Sequence, residues 1–137
     1  MFSKILDFFY FKKDDVINFL GELFSATYVR FFIVAIIALN IVIWMIAHKT
    51  IILAGTDNIA LHYNVEKGID LYGEPKKLYI LPVFGLFVFI LNFLILSFIN
   101  NKKDRTFIAY ALLGSAFFAN IILVMAIISL YIVNFGQ

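Results

Sequence analysis

Three long stretches without a charge dominate this chain. The first runs from Phe31 to Ala47 and continues past His48 and Lys49 to about Gly55. The second runs from Leu78 to Asn101, and the third from Thr106 to Gln137. A membrane-crossing helix needs about 20 mostly apolar residues, and each stretch supplies them. In hydrocarbon the backbone must bond to itself, so each stretch is expected to be helical despite its β-branched residues. Barrel strands are shorter and alternate strictly, and three of them close no barrel. Composition agrees: 64% of the 137 residues are hydrophobic, against roughly 45–50% in soluble domains. So small a chain has too little interior to hide that much apolar surface from water. The expectation is an all-α integral membrane protein with three transmembrane helices, over 30–54, 78–100 and 106–137.

Residues suited to the headgroup level mark the ends of these spans. Arg30 and Trp44 with His48 flank the first, Tyr79 and Asn100 the second, Tyr110 and Tyr131 the third. Pro82 falls in the opening turn of the second, where its missing N–H does little harm. Residues 101–105 form a tight turn carrying Lys102, Lys103 and Arg105. With Lys4, Lys12, Lys13 and Arg30 they outnumber Lys49, Lys67, Lys76 and Lys77 on the other side. The positive-inside rule then predicts a cytoplasmic N-terminus and an outside C-terminus, in a multi-pass membrane protein. A net charge of +2 is too small for nucleic-acid binding. The chain has no cysteine, which excludes disulfides, thiolate metal sites and thiol nucleophiles.

Residues 1–29 read as a cytoplasmic amphipathic helix in the interface. Phe2, Ile5, Leu6 and Phe9 follow helical spacing, as do Val16, Ile17, Leu20, Leu23 and Phe24 behind an Asp14 or Asp15 cap. The apolar run Phe8–Phe11 is too short for a signal peptide, and no cleavage site follows it. Such a helix is either a simple anchor leading into the first span or a docking surface.

The loop 55–77 carries most of the remaining chemistry. Ile59, Leu61, Tyr63 and Val65 alternate with other residues, as do Ile69 and Leu71. Glu66, Lys67 and Gly68 between them predict a short extracytoplasmic β-hairpin with glycine at a left-handed turn position. Val65 would face Ile69, Asn64 would face Asp70, and His62 would face Tyr72. The apolar face would lie on the helix ends or the lipid surface, and His62, Asn64, Asp70 and Tyr72 would gather on the other as a candidate polar cluster. His62, Glu66, Asp70 and Glu74 recur every four residues, but Asn64, Gly68 and Gly73 oppose the helix that would align them as metal ligands. The expectation is a structural loop with no metal or cofactor. No catalytic or nucleotide-binding motif occurs along the chain.

Leu61-His62-Tyr63-Asn64, followed by Gly68, Asp70, Gly73, Lys76 and a membrane helix, resembles a module of unassigned function that accompanies the SdpI-type bacterial membrane proteins. The resemblance spans about 59–95, with Ala60 where that family often has proline. It implies a bacterial membrane setting and one structural unit made of His62, Asn64, Gly68, Asp70 and Gly73.

Asparagines stand in the interior of the three spans at Asn40, Asn92 and Asn120. An amide in hydrocarbon seeks a protein partner, so these three are either interhelical joints or the lining of a polar path. In the third span Ala111, Ser115 and Ala119 recur every four residues beside Gly114 and Ala116. This is a helix-packing ridge for another span or another copy. The leading expectation is a small non-enzymatic membrane protein. It would be an accessory subunit or interaction module, held in the lipid bilayer as a homo-oligomer or part of a larger complex. The alternatives are an oligomeric channel or transporter component lined by the asparagines, and a membrane enzyme or metal protein using His62 and Asp70.

Overall fold

The computed structural model describes residues 21, 24–64, 66–97 and 105–136. Most of the amphipathic helix expected over 1–29, Val65, and the turn residues 101–104 lie outside them. Three helices carry the chain: α1 (Thr27–Ala54), α2 (Ile80–Ser97) and α3 (Arg105–Phe135). All three are long and apolar enough to cross a membrane. Gly55 ends α1, its N–H bonding the Ile51 carbonyl at 3.1 Å. A hairpin of β1 (Ile59–Asn64) and β2 (Gly68–Gly73) follows, then a 3₁₀ turn at Pro75–Tyr79 that runs directly into α2.

The helices are inverted relative to a water-soluble bundle. Their outer faces carry Phe31, Val34, Met45, Ile80, Phe107, Phe118, Ile122 and Met125, all at least 65% exposed except Phe118 at 64%. The interior is thin and built largely of small or branched residues. α3 is the central element and packs against both other helices, whereas α1 and α2 touch less extensively. Its inward seam is Ala109, Leu113, Ala116, Asn120 and Ile127, all fully buried. These recur at helical spacing, so one stripe meets both neighbours.

Two apolar clusters fill the bundle. Val29, Leu96, Ala109 and Leu113 form one, at the start of α1. Ile43, Ala47, Ala54, Ile59, Leu78 and Ile127 form the other, beneath the hairpin. A polar joint contributed by all three helices is also buried. Asn40 of α1 donates to the Asn120 Oδ1 of α3 at 3.2 Å and to the Pro82 carbonyl of α2 at 2.9 Å. Asn120 in turn donates to the Ala116 carbonyl at 3.0 Å and the Gly85 carbonyl at 3.4 Å. Bonds of this kind between membrane helices average about 0.6 kcal/mol each, and their geometry selects which faces meet.

Gly85 makes room for the joint. A Cβ there would lie 2.6 Å from Asn120 Oδ1 and 2.7 Å from Asn40 Nδ2. Gly114 differs, since a Cβ there would meet nothing within 4 Å.

The hairpin departs from its expected register. Asn64 pairs with Gly68, Tyr63 with Ile69, His62 with Leu71 and Ala60 with Tyr72, with irregularities on either side of His62. The turn therefore sits one residue earlier than the sequence suggested. The reason is local: Asn64 Oδ1 accepts the Glu66 N–H at 2.9 Å, a side-chain turn that starts the reversal at Asn64. Gly68 has a φ of 75° and opens β2, consistent with the left-handed role expected of it.

Replacing Gly85 with Ala is expected to cost about 1–3 kcal/mol by overpacking the joint. Gly114→Ala should leave stability unchanged or slightly raised. Unfolding titrations of the two variants in mixed detergent and dodecyl sulfate micelles, followed by circular dichroism, make the comparison.

Candidate functional site

The hairpin end of the bundle collects most of the described polar side chains. His62 stands on β1 and Asp70 on β2, and the irregular register at His62 brings them together. Nδ1 of His62 lies 2.5 Å from Asp70 Oδ1. With the carboxylate accepting, Nδ1–H donates, and this sets the ring's orientation and leaves Nε2 free of that bond. Both side chains are well exposed, at 61% and 41%. Solvent screens such a pair, so it adds little to stability. Among the described residues, no group of three or more histidines, cysteines or carboxylates is placed to hold a metal ion.

The other members of the expected cluster go elsewhere. Asn64 spends its side-chain oxygen on its own turn. Tyr72 is 60% exposed and stands opposite Ala60. Of the four polar residues anticipated on one face, the structure joins only His62 and Asp70. Glu66 sits in the turn and Glu74 lies beyond the end of β2, so the four-residue recurrence does not converge.

The residue that seats the hairpin escaped the sequence analysis. Asn134, near the end of α3, accepts the Ala60 N–H at 2.9 Å and donates to the Ala60 carbonyl at 3.0 Å. It also donates to Leu130 O of its own helix at 2.8 Å. One side-chain amide thus pairs with both backbone groups of a β1 residue, as a neighbouring strand would. Ala60 is 1% exposed and Ile59 5%, so those groups need a partner within the protein. The available signal was a second asparagine in α3, four residues past Leu130, with nothing to indicate its distant partner.

An aromatic collar surrounds the same end. Tyr79 hydroxyl lies 3.0 Å from His48 Nδ1, and its ring stands 5.1 Å from that of Trp44. The Lys49 ammonium sits 5.2 Å above the Tyr131 ring. At the far end Tyr28 stacks on Tyr110 at 4.6 Å, with Phe32 edge-on to Tyr110. The two groups stand at opposite ends of the bundle.

The polar residues expected within the spans divide into two sets. Asn40 and Asn120 form the buried joint, at 3% and 0% exposure. Asn92 is half-buried, donates to Val88 O of its own helix at 2.8 Å, and accepts from the Ser115 hydroxyl at 3.3 Å. Ala111 and Ser115 are exposed and Ala119 is half-buried. The small-residue ridge is therefore rotated away from the inward seam of α3, and its only hydrogen bond to another helix among the described residues is that of Ser115 to Asn92.

No known family model, curated protein or solved structure matches the chain.

Substituting Asn134 with Leu should free the β1 backbone at Ala60 while the helices persist. Leaving those groups unbonded is worth about 1–3 kcal/mol, so amide exchange at Ala60 should accelerate roughly tenfold or more. Hydrogen exchange measured residue by residue, with the helix amides as reference, checks this.

Proposed function

We propose that this chain is a small non-enzymatic membrane protein that acts as an accessory subunit or interaction module, joining a second copy of itself or a larger membrane complex. The observation that carries the reading is the outer face of α3. Phe107 and Phe118 project there, 78% and 64% exposed, and between them lie Ala111, Gly114 and Ser115. The small residues lie between two large rings, and the space over Gly114 is open: a Cβ there would meet nothing within 4 Å. Close helix approach in lipid depends on such notches, because lipid tails solvate large apolar side chains as well as another helix does. The Asn92–Ser115 hydrogen bond runs beside the notch and adds a polar contact at its edge.

The proposed setting is a bacterial cytoplasmic membrane, with the N-terminus cytoplasmic and the hairpin and C-terminus outside. The distribution of basic residues supports the orientation. The resemblance of the loop to the SdpI-associated module supports the bacterial membrane context and adds no reaction. A polar transport path finds less support, because Asn40 and Asn120 direct their amides to each other and to helix carbonyls. The His62–Asp70 pair offers two exposed groups, fewer than a structural metal site employs.

Two measurements test the reading. Ala111→Leu combined with Ser115→Leu fills the notch and should weaken association roughly tenfold or more, read as crosslinked species in native membranes. A chain that stays monomeric and captures no partner under the same conditions rejects it. Because the chain has no cysteine, a single Glu66→Cys variant reports topology. A membrane-impermeant maleimide should label it in intact cells, and labelling only after lysis would reverse the orientation.

A further inference from the structure

Beneath the hairpin lies a groove of about 480 Å³. Its walls come from three parts of the fold: Leu61 and Leu71 from the hairpin, Leu78, Ile80 and Leu81 from the entry to α2, and Leu130 from α3. Lys76 and Lys77 complete it. The volume falls within the range of small-molecule sites, about 300–1,000 Å³. The lining is divided, with six aliphatic side chains and two cationic ones, and the cations are adjacent in sequence.

Both lysines are exposed, and among the described residues neither has a carboxylate within 4 Å. Glu74, just before the 3₁₀ turn, is exposed and pairs with neither. Lys77 is held close to the hairpin. A Cβ placed on Gly73 would lie 3.5 Å from its Nζ, 3.6 Å from its Cδ and 2.6 Å from Leu61 Cδ1. Glycine at the end of β2 thus lets the lysine stem and Leu61 close over the strand. The Lys77 ammonium therefore lies beside the end of β2, at the edge of the groove.

The level and continuity of the groove identify its occupant. Tyr79, next to Leu78, belongs to the aromatic collar with Trp44 and His48, and Leu130 precedes Tyr131 of the same collar. Aromatic residues with a polar tip favour the headgroup level of a bilayer. From Ile80, 70% exposed, an apolar strip continues along α2 through Val83, Phe84 and Phe87, each more than half exposed. A ligand lying in the groove and along this strip would need a negative head and a long apolar tail.

We propose that this groove binds an anionic glycerophospholipid. Its phosphate lies between Lys76 and Lys77, and one acyl chain runs past Leu71, Ile80 and Leu81 onto the exposed face of α2. The site rests on the chain lying in a bilayer, and it is independent of any protein partner. It makes the hairpin a clamp over a lipid, with Asn134 and Gly73 holding the clamp's shape.

The full chain in nanodiscs of equal phosphatidylglycerol and phosphatidylcholine, released for native mass spectrometry, tests this. Near a bilayer surface each lysine strengthens attraction to anionic lipid, so the pair should give roughly tenfold preferential retention of phosphatidylglycerol. Lys76→Gln with Lys77→Gln should bring retention to near parity. Lys76→Arg with Lys77→Arg should keep the preference, and so should Lys67→Gln at the hairpin turn. Equal retention of the two lipids by the natural chain would overturn the proposal, as would a preference that survives the double Gln substitution. Loss of the preference on adding millimolar inorganic phosphate would assign a free-anion site instead. A dimer that disappears with the double Gln substitution, without a change in lipid retention, would assign the groove to a second copy. A chain that does not enter nanodiscs at all defeats the membrane reading together with this one, whereas a chain that enters without lipid preference defeats only this inference.

Discussion

A primary amide buried among apolar helices has few ways to satisfy its donors and acceptor, and in this protein that scarcity organises the bundle. Asn40 reaches across to Asn120 and to the Pro82 carbonyl, and Asn120 reaches toward the Gly85 carbonyl. Each helix supplies part of one polar joint, and the two apolar clusters pack elsewhere along the same bundle. Dispersion contacts alone tolerate small rotations and slides of one apolar helix on another. The amide contacts are directional, so they select one register. Gly85 allows this, because any side chain at that position would occupy the space of the two amide groups.

The same logic recurs at the hairpin. A two-stranded sheet has two open edges and is marginal by itself. Asn134 covers part of one edge by pairing with both backbone groups of Ala60. Ile59 and Leu61 add apolar contact with the cluster below. The hairpin is therefore an extension of the helical bundle, fastened to α3 by one side chain. Its exposed surface retains His62 and Asp70, and its underside forms the roof of a groove. Asparagine performs three jobs here: interhelical joint, turn initiator at Asn64 and strand substitute at Asn134.

The outer surface follows from how little the bundle can bury. Three helices enclose a narrow interior, filled mainly by Ala, Leu, Ile and Val, with Pro82, Thr50 and two amides. Among the described residues no aromatic side chain is buried, and many large aliphatic ones are left outside as well. Against that bulky background the notch at Ala111, Gly114 and Ser115 and the lysine-capped groove stand out as places where the surface changes shape or charge. The notch supports the proposed association of helices, and the groove the proposed lipid. They lie on different parts of the molecule, so both can be occupied together.

Much of the architecture was legible from the chain alone. Long uncharged runs leave the backbone no partners but itself, so three helices long enough to cross a membrane follow from composition and spacing. The hairpin was visible for a similarly local reason, in the alternation of Ile59, Leu61 and Tyr63 and the glycine at 68. Its register was not, because the Asn64 side chain started the turn one residue early. The sequence also singled out Asn40 and Asn120 as residues in need of partners without showing that they partner each other, 80 positions apart. It showed a small-residue ridge on α3 but could not say which way the ridge faced. Nothing near Asn134 in the sequence pointed to its partner at Ala60. What the sequence determined was local: periodicity, hydropathy and turn chemistry act between near neighbours. The pairing of distant amides, the outward turn of the ridge and the closing of a groove beneath the hairpin depend on how the helices rotate against one another. Only the tertiary structure decides that, because the rotation is set by contacts between residues far apart in the chain.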